Sequence, residues 1–544
     1  MPDIDELVES VVGPVADVLS AIVFAEIPVF GGVPLIVLWL MVAAVFFTVW
    51  LKFQPVTGIR HSLKVIRGRF NAKTDPGEIS SFQALATELS STVGLGNIAG
   101  VAVAVSVGGP GSALWIAAFG LVGMSVKMAE ATLSVKYRSI RDDGVVIGGP
   151  MYYLRDGLRD IGWPRLGAAL AWLYALFTLL GLYGADLFQS NQVAAIVASS
   201  SGSDLLQDHN WIIGVVIAVL MGAVLVGGAT SVGRWTGRIT PAMAAVYLIS
   251  VLAVLGANVS AVPEALSAMV SNVFTGEGVA GGVVGVAVIG IQRALFSNAA
   301  GVGTAGYAHA ASKTKKPASE GYVAMWEPFI DSVFVCMLTA TAIVVTGVHE
   351  GAGADAEGVE LTATAFATVA SWFPYLLSVA VALFGFSTVL AYGYYGEQAA
   401  VYLMGDRPAV RGGFKAVWLI GPVLGAAASL DAVITFADAS FFLMAIPNLL
   451  GLYFLARMLR AEILGYRYKV DSGRINEIPD KDLQVGMSGD HEPTAEQVRA
   501  AEAAEAAEAR EAAEARHSAE PGEAADDASR ARSSPTPRPA SVAP

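Results

Sequence analysis

Apolar stretches of about 20 residues recur along the chain between short polar segments, and a helix of that length spans roughly 30 Å of hydrocarbon. Bounded by charge and by Gly or Pro, these runs fall near 33–51, 82–107, 112–135, 167–198, 211–229, 239–256, 280–308, 323–347, 364–396, 416–428 and 432–456. The pattern predicts an all-α polytopic membrane protein with about eleven transmembrane helices, since only helices and closed barrels satisfy the backbone in lipid. Residues 144–166, "GVVIGGPMYYLRDGLRDIGWPRL", mix aromatics with arginines and are expected to form a loop carrying an interfacial helix. Residues 7–24 are expected to form a similar interfacial segment on the outer side. From about 470 the chain turns polar, and "AEAAEAAEAREAAEAR" combines helix formers with no large apolar residue to bury. The expected organisation is therefore an extracytoplasmic segment (1–32), a transmembrane domain (33–465) and an acidic Ala/Glu-rich tail (466–544), helical or disordered.

Charge tests the span count, because cytoplasmic loops concentrate Lys and Arg. Segments 1–32, 108–111, 199–210, 257–279, 348–363 and 429–431 contain neither. The alternate loops carry basic groups throughout, from Lys52, Arg60 and Lys64 to Arg407, Arg411, Lys415, Arg457 and Arg460. The N-terminus is expected outside the cell membrane and the C-terminus in the cytoplasm. Asp3, Asp5, Glu6, Glu9, Asp17 and Glu26, with no basic residue before Lys52, predict that no signal peptide is cleaved. Only 15% of residues are charged, against roughly 25% in soluble domains. Net charge is −13, with no basic stripe to suggest nucleic-acid binding. Cys336, the single cysteine, excludes an intrachain disulfide.

Two of the runs contain residues that a simple span avoids. "STVGLGNIAG" (Ser91–Gly100) places glycines beside Ser90, Ser91, Thr92 and Asn97 in the middle of an apolar segment. "LFSNAAGVGTAG" (Leu295–Gly306) repeats the theme five spans later. Both contain G-x-G-x-x-G/A-like spacing, but the nucleotide fingerprint needs a strand before it, and here both flanks are helical. Close helix packing accounts for the small residues and not for the polar ones. An interrupted helix accounts for both: its free carbonyls suit a cation and its free amides suit a carboxylate. Two such helices at matching places predict a 5+5 inverted repeat, about 82–256 and 280–456, around a midplane site of a secondary transporter.

These residues resemble the alanine or glycine:cation (sodium) symporter family, whose members have the leucine-transporter fold. The resemblance covers about residues 30–465. It is most specific in "VGLGNIAGVAVAVSVGGPGSALWIAAFGLVGMSVKMAEATLSVKYR" (Val93–Arg138), "GGPMYYL", "ALFSNAAGVGTAGYAHAAS", "FIDSVFVC" and "FGFSTVLAYGYYGEQAAVYL". It implies sodium-coupled import of alanine and/or glycine by alternating access, with one extra N-terminal helix before the repeats. It places Thr92, Gly94, Gly96 and Asn97 around the amino acid, with Phe296, Ser297 and Asn298 on the opposite wall and Gln189 in reach. A sodium ion is implied between carbonyls near Ser90 and Val93 and the hydroxyls of Ser387 and Thr388. Sodium is the coupling ion and no other cofactor is implied. The family usually has glutamate at the position of Ala299, and tryptophan at that of Tyr392, which also faces the substrate.

Of the other polar candidates, Lys127 and Glu130 are spaced for an i, i+3 ion pair. Asp186, Arg293, Asp331 and Asp438 are intramembrane charges and so functional candidates by default, with pairing as the plainer alternative. Glu88 and Glu397 are expected at a cytoplasmic gate or at solvated helix ends. No zinc-type His-x-x-x-His or Walker lysine motif occurs, so neither metal-dependent hydrolysis nor ATP-driven pumping is indicated and no enzyme activity is expected. An ion channel, or a transporter-like sensor signalling through the tail, is the alternative reading. Substrate amino acid and membrane lipid are the expected partners, and the sequence leaves the oligomeric state open.

Overall fold

The computed structural model describes residues 14, 16–27, 32–141, 144–274, 282–350 and 358–478, and the expected tail beyond 478 lies outside them. Two short antiparallel pairs, β1 (Glu26–Ile27) with β2 (Val33–Pro34) and β3 (Ser139–Ile140) with β4 (Val146–Ile147), accompany an otherwise helical chain. The first half contains α1 (Leu35–Trp50), α2 (Ile59–Ile66), α3 (Ser81–Thr92), α4 (Ala99–Gly108), α5 (Ser112–Lys136), α6 (Pro164–Ser201), α7 (Trp211–Leu225), α8 (Gly228–Ala257) and α9 (Val262–Asn272). The second contains α10 (Gly282–Asn298), α11 (Ala305–Ala310), α12 (Pro317–Ala324), α13 (Met337–Thr346), α14 (Gly358–Ala367), α15 (Phe373–Met404), α16 (Pro408–Trp418), α17 (Gly421–Ala427), α18 (Leu430–Leu443) and α19 (Ala445–Asp471).

Among the described residues, six continuous helical segments are long and apolar enough to cross a membrane: Ser112–Lys136, Pro164–Ser201, Thr230–Ala257, Pro317–Thr346, Phe373–Met404 and Leu430–Asp471. Leu35–Trp50, Trp211–Leu225 and Val284–Asn298 are shorter apolar helices. The run expected near 416–428 is divided between α16 and α17, where Pro422 brings no backbone N–H to continue one helix into the next. The Thr230–Ala257 helix is 33% buried and the Phe373–Met404 helix 72% buried, which sets α8 at the periphery and α15 at the centre. Central α6 packs on α15, α17 and α18, while α5 packs on α1, α10, α11 and α12.

Residues 144–166 correct the sequence expectation. Short helical turns over Pro150–Asp160 bury Met151, Tyr153, Leu154 and Leu158 in the core, and Tyr153 donates its hydroxyl to Asn448 on α19. Tyr152 and Tyr153, two of the aromatics that suggested an interfacial helix, are therefore core side chains, while Trp163 is exposed and Arg155 and Arg159 are on the open side.

Both interrupted helices are real breaks. A capping box starts α3, with Gln83 N donating to Ser80 Oγ and Ser80 N to Gln83 Oε1. The chain then bends by 58° between Ser81–Thr92 and Leu95–Gly108. Between α10 and α11, Ala299, Gly301 and Gly303 take φ of 52°, 97° and 98°. A Cβ on Gly303 would stand 2.6 Å from the Tyr174 hydroxyl and 3.0 Å from Pro150 Cγ. Left-handed backbone costs a non-glycine residue about 1–3 kcal/mol, and here steric overlap adds to it. Gly303→Ala is therefore expected to lower the thermal melting temperature of the detergent-solubilised protein. Gly413→Ala, at an exposed helical site with open space around it, should not; equal melting of the two variants would refute this account of the second break.

Candidate functional site

The first break turns its polar backbone toward its own side chains and toward α6. Gly94 N donates to Asn97 Oδ1 at 3.0 Å, and Leu95 N donates to Gln189 Oε1 at 3.1 Å. Gly94 fits because a Cβ there would lie 2.8 Å from Thr388 Oγ1 and 3.1 Å from Gln189 Nε2. A short 3-10 turn over Leu95–Asn97 then leads into α4. Thr92 stays inside α3, its hydroxyl donating to Glu88 O at 3.0 Å.

The second break meets the first directly. A Cβ on Gly96 would stand 3.2 Å from Ser297 Cα, so the two backbones touch where both helices are interrupted. Asn298 Nδ2 donates to Ser332 Oγ at 2.9 Å, and its Oδ1 accepts from Ala300 N at 2.9 Å. Phe296 packs edge-on against Phe188 and tilted against Phe441, with ring centroids 5.4 and 5.5 Å away. Tyr392 lies 6.3 Å from Phe441 and joins the same aromatic group.

Asp331 links the two breaks. Its Oδ1 accepts from Asn97 Nδ2 at 2.5 Å, and its Oδ2 accepts from Ser297 Oγ at 2.5 Å and Ser332 Oγ at 2.9 Å. A π-helical turn over Phe329–Cys336, inside the Pro317–Thr346 span, carries it there. The sequence marked Asp331 as an intramembrane charge, with a functional role and simple pairing both open. Neutral donors from both broken helices surround it, and no motif spacing announces a π turn.

Among the residues implied to hold sodium, Thr388 Oγ1 donates to Ser90 O at 2.8 Å, bringing α15 onto α3. Ser387 Oγ donates to Phe384 O at 3.0 Å, also facing Met243 Sδ at 3.3 Å, and Val93 N caps the end of α3 on Leu89 O at 2.7 Å. Ser90 Oγ is buried without a hydrogen-bond partner among the described residues.

Three expectations about charge change. Lys127 does not pair with Glu130: its ammonium lies 2.6 Å from Glu88 Oε1 and 3.3 Å from Glu327 Oε2, all three side chains fully buried. Glu130 instead accepts from Gly301 N at 3.0 Å and Asn448 Nδ2 at 2.9 Å. The local i, i+3 spacing lost to partners on other helices, which hold the ions away from lipid. Glu88 is consequently no solvated helix end. Glu397 lies within α15 and pairs with Arg411 at 2.7 Å and Lys415 at 3.2 Å. Arg293 and Asp438 pair with each other as expected, whereas Asp186 accepts from Ser190 Oγ at 3.3 Å and has no ion pair among the described residues.

The arrangement joins two interrupted helices, an aromatic wall and clustered oxygens in the apolar body of a membrane protein. The sodium:alanine symporter family matches residues 17–480. The chain is 37% identical over 432 residues to the sodium/alanine symporter AgcS of Methanococcus maripaludis, covering 79% of this chain and 93% of that protein. It is 31% identical over 426 residues to the putative sodium/proton-dependent alanine carrier protein YrbD of Bacillus subtilis, covering 76% and 85%. With the probable sodium/glutamine symporter GlnT of the same organism it shares 28% over 450 residues, covering 81% and 89%. The matched segment takes in both breaks and the helices around them, and the chain belongs to the sodium:alanine symporter family, sodium-coupled membrane transporters of amino acids.

Proposed function

We propose that this protein imports small neutral amino acids, alanine and/or glycine, with sodium, by alternating access between the two interrupted helices. The observation that carries the reading is the contact of the breaks at Gly96 and Ser297, with Asn97 and Ser297 tied to one carboxylate, Asp331. A substrate carboxylate takes the place of the neutral Asn97 and Gln189 oxygens at the Gly94 and Leu95 amides, exchanging ordinary hydrogen bonds for charge-assisted ones. Thr92, Gly94, Gly96, Asn97 and Gln189 then form one wall, and Phe296, Ser297 and Asn298 the other. Phe296, Phe441 and Tyr392 bound the side chain of the substrate, and their close packing favours a hydrogen or a methyl group.

Sodium binds where Ser90 O and the Val93 carbonyl end α3 and Ser387 and Thr388 present hydroxyls, because a hard cation gathers several oxygens. The repeats 82–256 and 280–456, eleven spans, an outer N-terminus and a cytoplasmic C-terminus complete the reading. The paired breaks support the repeats, and the distribution of Lys and Arg supports the orientation.

Proteoliposomes loaded against an imposed sodium gradient test this: labelled alanine or glycine is expected to accumulate above equilibrium, and uptake that merely equilibrates would exclude symport. Asn97→Ala removes an amide bonded to a carboxylate, a bond worth about 1.5–3 kcal/mol. Coupled uptake is expected to fall by about tenfold or more while membrane insertion and detergent elution profile are retained. Thr388→Ala should raise the sodium concentration for half-maximal uptake more than that for the amino acid. An equal shift in both would remove Thr388 from the ion site.

A further inference from the structure

We propose that His309 and its two flanking carboxylates, Glu320 and Glu327, form a proton-binding site whose occupancy sets the transport rate. The ring Nδ1 lies 2.8 Å from Glu320 Oε1 and Nε2 lies 2.5 Å from Glu327 Oε1. All three side chains are fully buried. A neutral imidazole has one N–H, so it donates to one carboxylate and turns a bare lone pair toward the other. Both contacts are hydrogen bonds only if the triad holds one more proton, on the ring or on a carboxyl group. The extra proton then belongs to the triad as a coupled unit and not to any one of its groups.

Nearby cations offset the two carboxylates only in part. From α5, the Lys127 ammonium is shared between Glu327 and the closer Glu88. Also from α5, Glu130 is turned to Gly301 and Asn448, and just beyond the end of α5 the Arg138 guanidinium is bonded to the carbonyls of Ala310, Ser312, Pro76 and Thr314. From α3, Ser81 donates to Glu320 Oε2 at 2.8 Å, and from α15, Tyr395 donates to Glu88 Oε2 at 2.7 Å. Loss of the proton leaves two fully buried carboxylates against one neutral ring, a costly arrangement in a low-dielectric interior.

Position connects the proton to transport. His309 belongs to α11, the continuation of the second broken helix, and Glu320 to α12. Through Glu327 and Lys127 the triad reaches Glu88 on α3, the first half of the other broken helix. Thr304, at the start of α11, donates to Glu88 Oε1 at 2.7 Å. Release breaks one N–H or O–H bond, leaves its electron pair on the triad and passes the proton to water. It loosens α11 from α12 and alters the tie between the breaks.

The proton site stands independently of the transport reading, while its effect on uptake rests on that reading, so the test has two readouts. Glu320→Gln is the decisive variant: the neutral ring then donates to Glu327 and accepts from the new amide, with no extra proton required, and Ser81 keeps an oxygen partner. In wild-type protein the folded state holds the extra proton more tightly than the unfolded chain, so its stabilisation is present at lower pH and lost as pH rises through its release from the folded state. The melting temperature of the purified wild type is expected to fall on the alkaline side, and that of Glu320→Gln to stay level over the same range. Sodium-driven uptake by the wild type should fall by about tenfold per pH unit above release, the slope of one titrating proton, and Glu320→Gln should lack this limb. Should Glu320→Gln fail to fold, Glu327→Gln supplies the same comparison from the other side of the ring. Superimposable melting profiles of wild type and variant would overturn the proton site. Differing melting profiles with superimposable uptake profiles would overturn its link to transport, and absence of uptake by the wild type at any pH would overturn the transport reading alone.

Discussion

A backbone amide inside a bilayer has no water to turn to, and the two interrupted helices concentrate that demand in one place. The rest of the central packing answers it. Asn97 and Gln189 take the Gly94 and Leu95 amides, while Asn298 and Glu130 take those of Ala300 and Gly301. Asn448 from α19 donates to both Glu130 and the Gly301 carbonyl. Side chains on α5, α6 and α19 are thus fixed by the needs of the breaks, and those helices must lie where their polar atoms can reach.

The same economy governs charge. Lys127, Glu88 and Glu327 are fully buried, and taking such ions from water costs several kcal/mol each unless pairing and hydrogen bonds offset it. Lys127 is shared by two carboxylates, and Thr304 and Tyr395 add donors to Glu88. A buried network of this kind adds little net stability over well-packed apolar groups. What it supplies is geometry: it draws α3, α5, α11 and α15 into one register, the helices that carry both breaks and the hydroxyls of Ser387 and Thr388.

The membrane helices and both breaks were legible in the sequence, because a long apolar run and a cluster of glycines with hydroxyls and amides are local patterns with local causes. Contacts across the fold were not. Lys127 and Glu130 have the spacing of a helical ion pair, yet Glu88, distant in sequence, is closer to the ammonium. Asp331 stood out as a buried charge, but its place between Asn97 and Ser297 depends on a π turn that leaves no periodic trace. The aromatics of 150–158 were visible, and whether they face lipid or core depends on α6 and α19 packed beside them. The Thr388 and Ser90 contact was named only through family resemblance, since the two residues share no local pattern.

The departures at Ala299 and Tyr392 are best weighed by where each falls. Ala299 is buried in left-handed backbone, at a position where the family usually has glutamate. The carboxylate acceptor inside this break comes instead from Glu130, which holds the Gly301 amide, so the missing side chain leaves that donor satisfied. Tyr392 lies among Phe441 and Tyr395 and takes no part in the hydrogen bonds of Asp331 with Asn97 and Ser297. Exchanging an indole for a smaller phenol there changes the apolar wall and leaves the polar ends as they are. On the proposed assignment, recognition of the carboxylate and the ion is therefore preserved, and the dimension these substitutions tune is the space left for the substrate side chain.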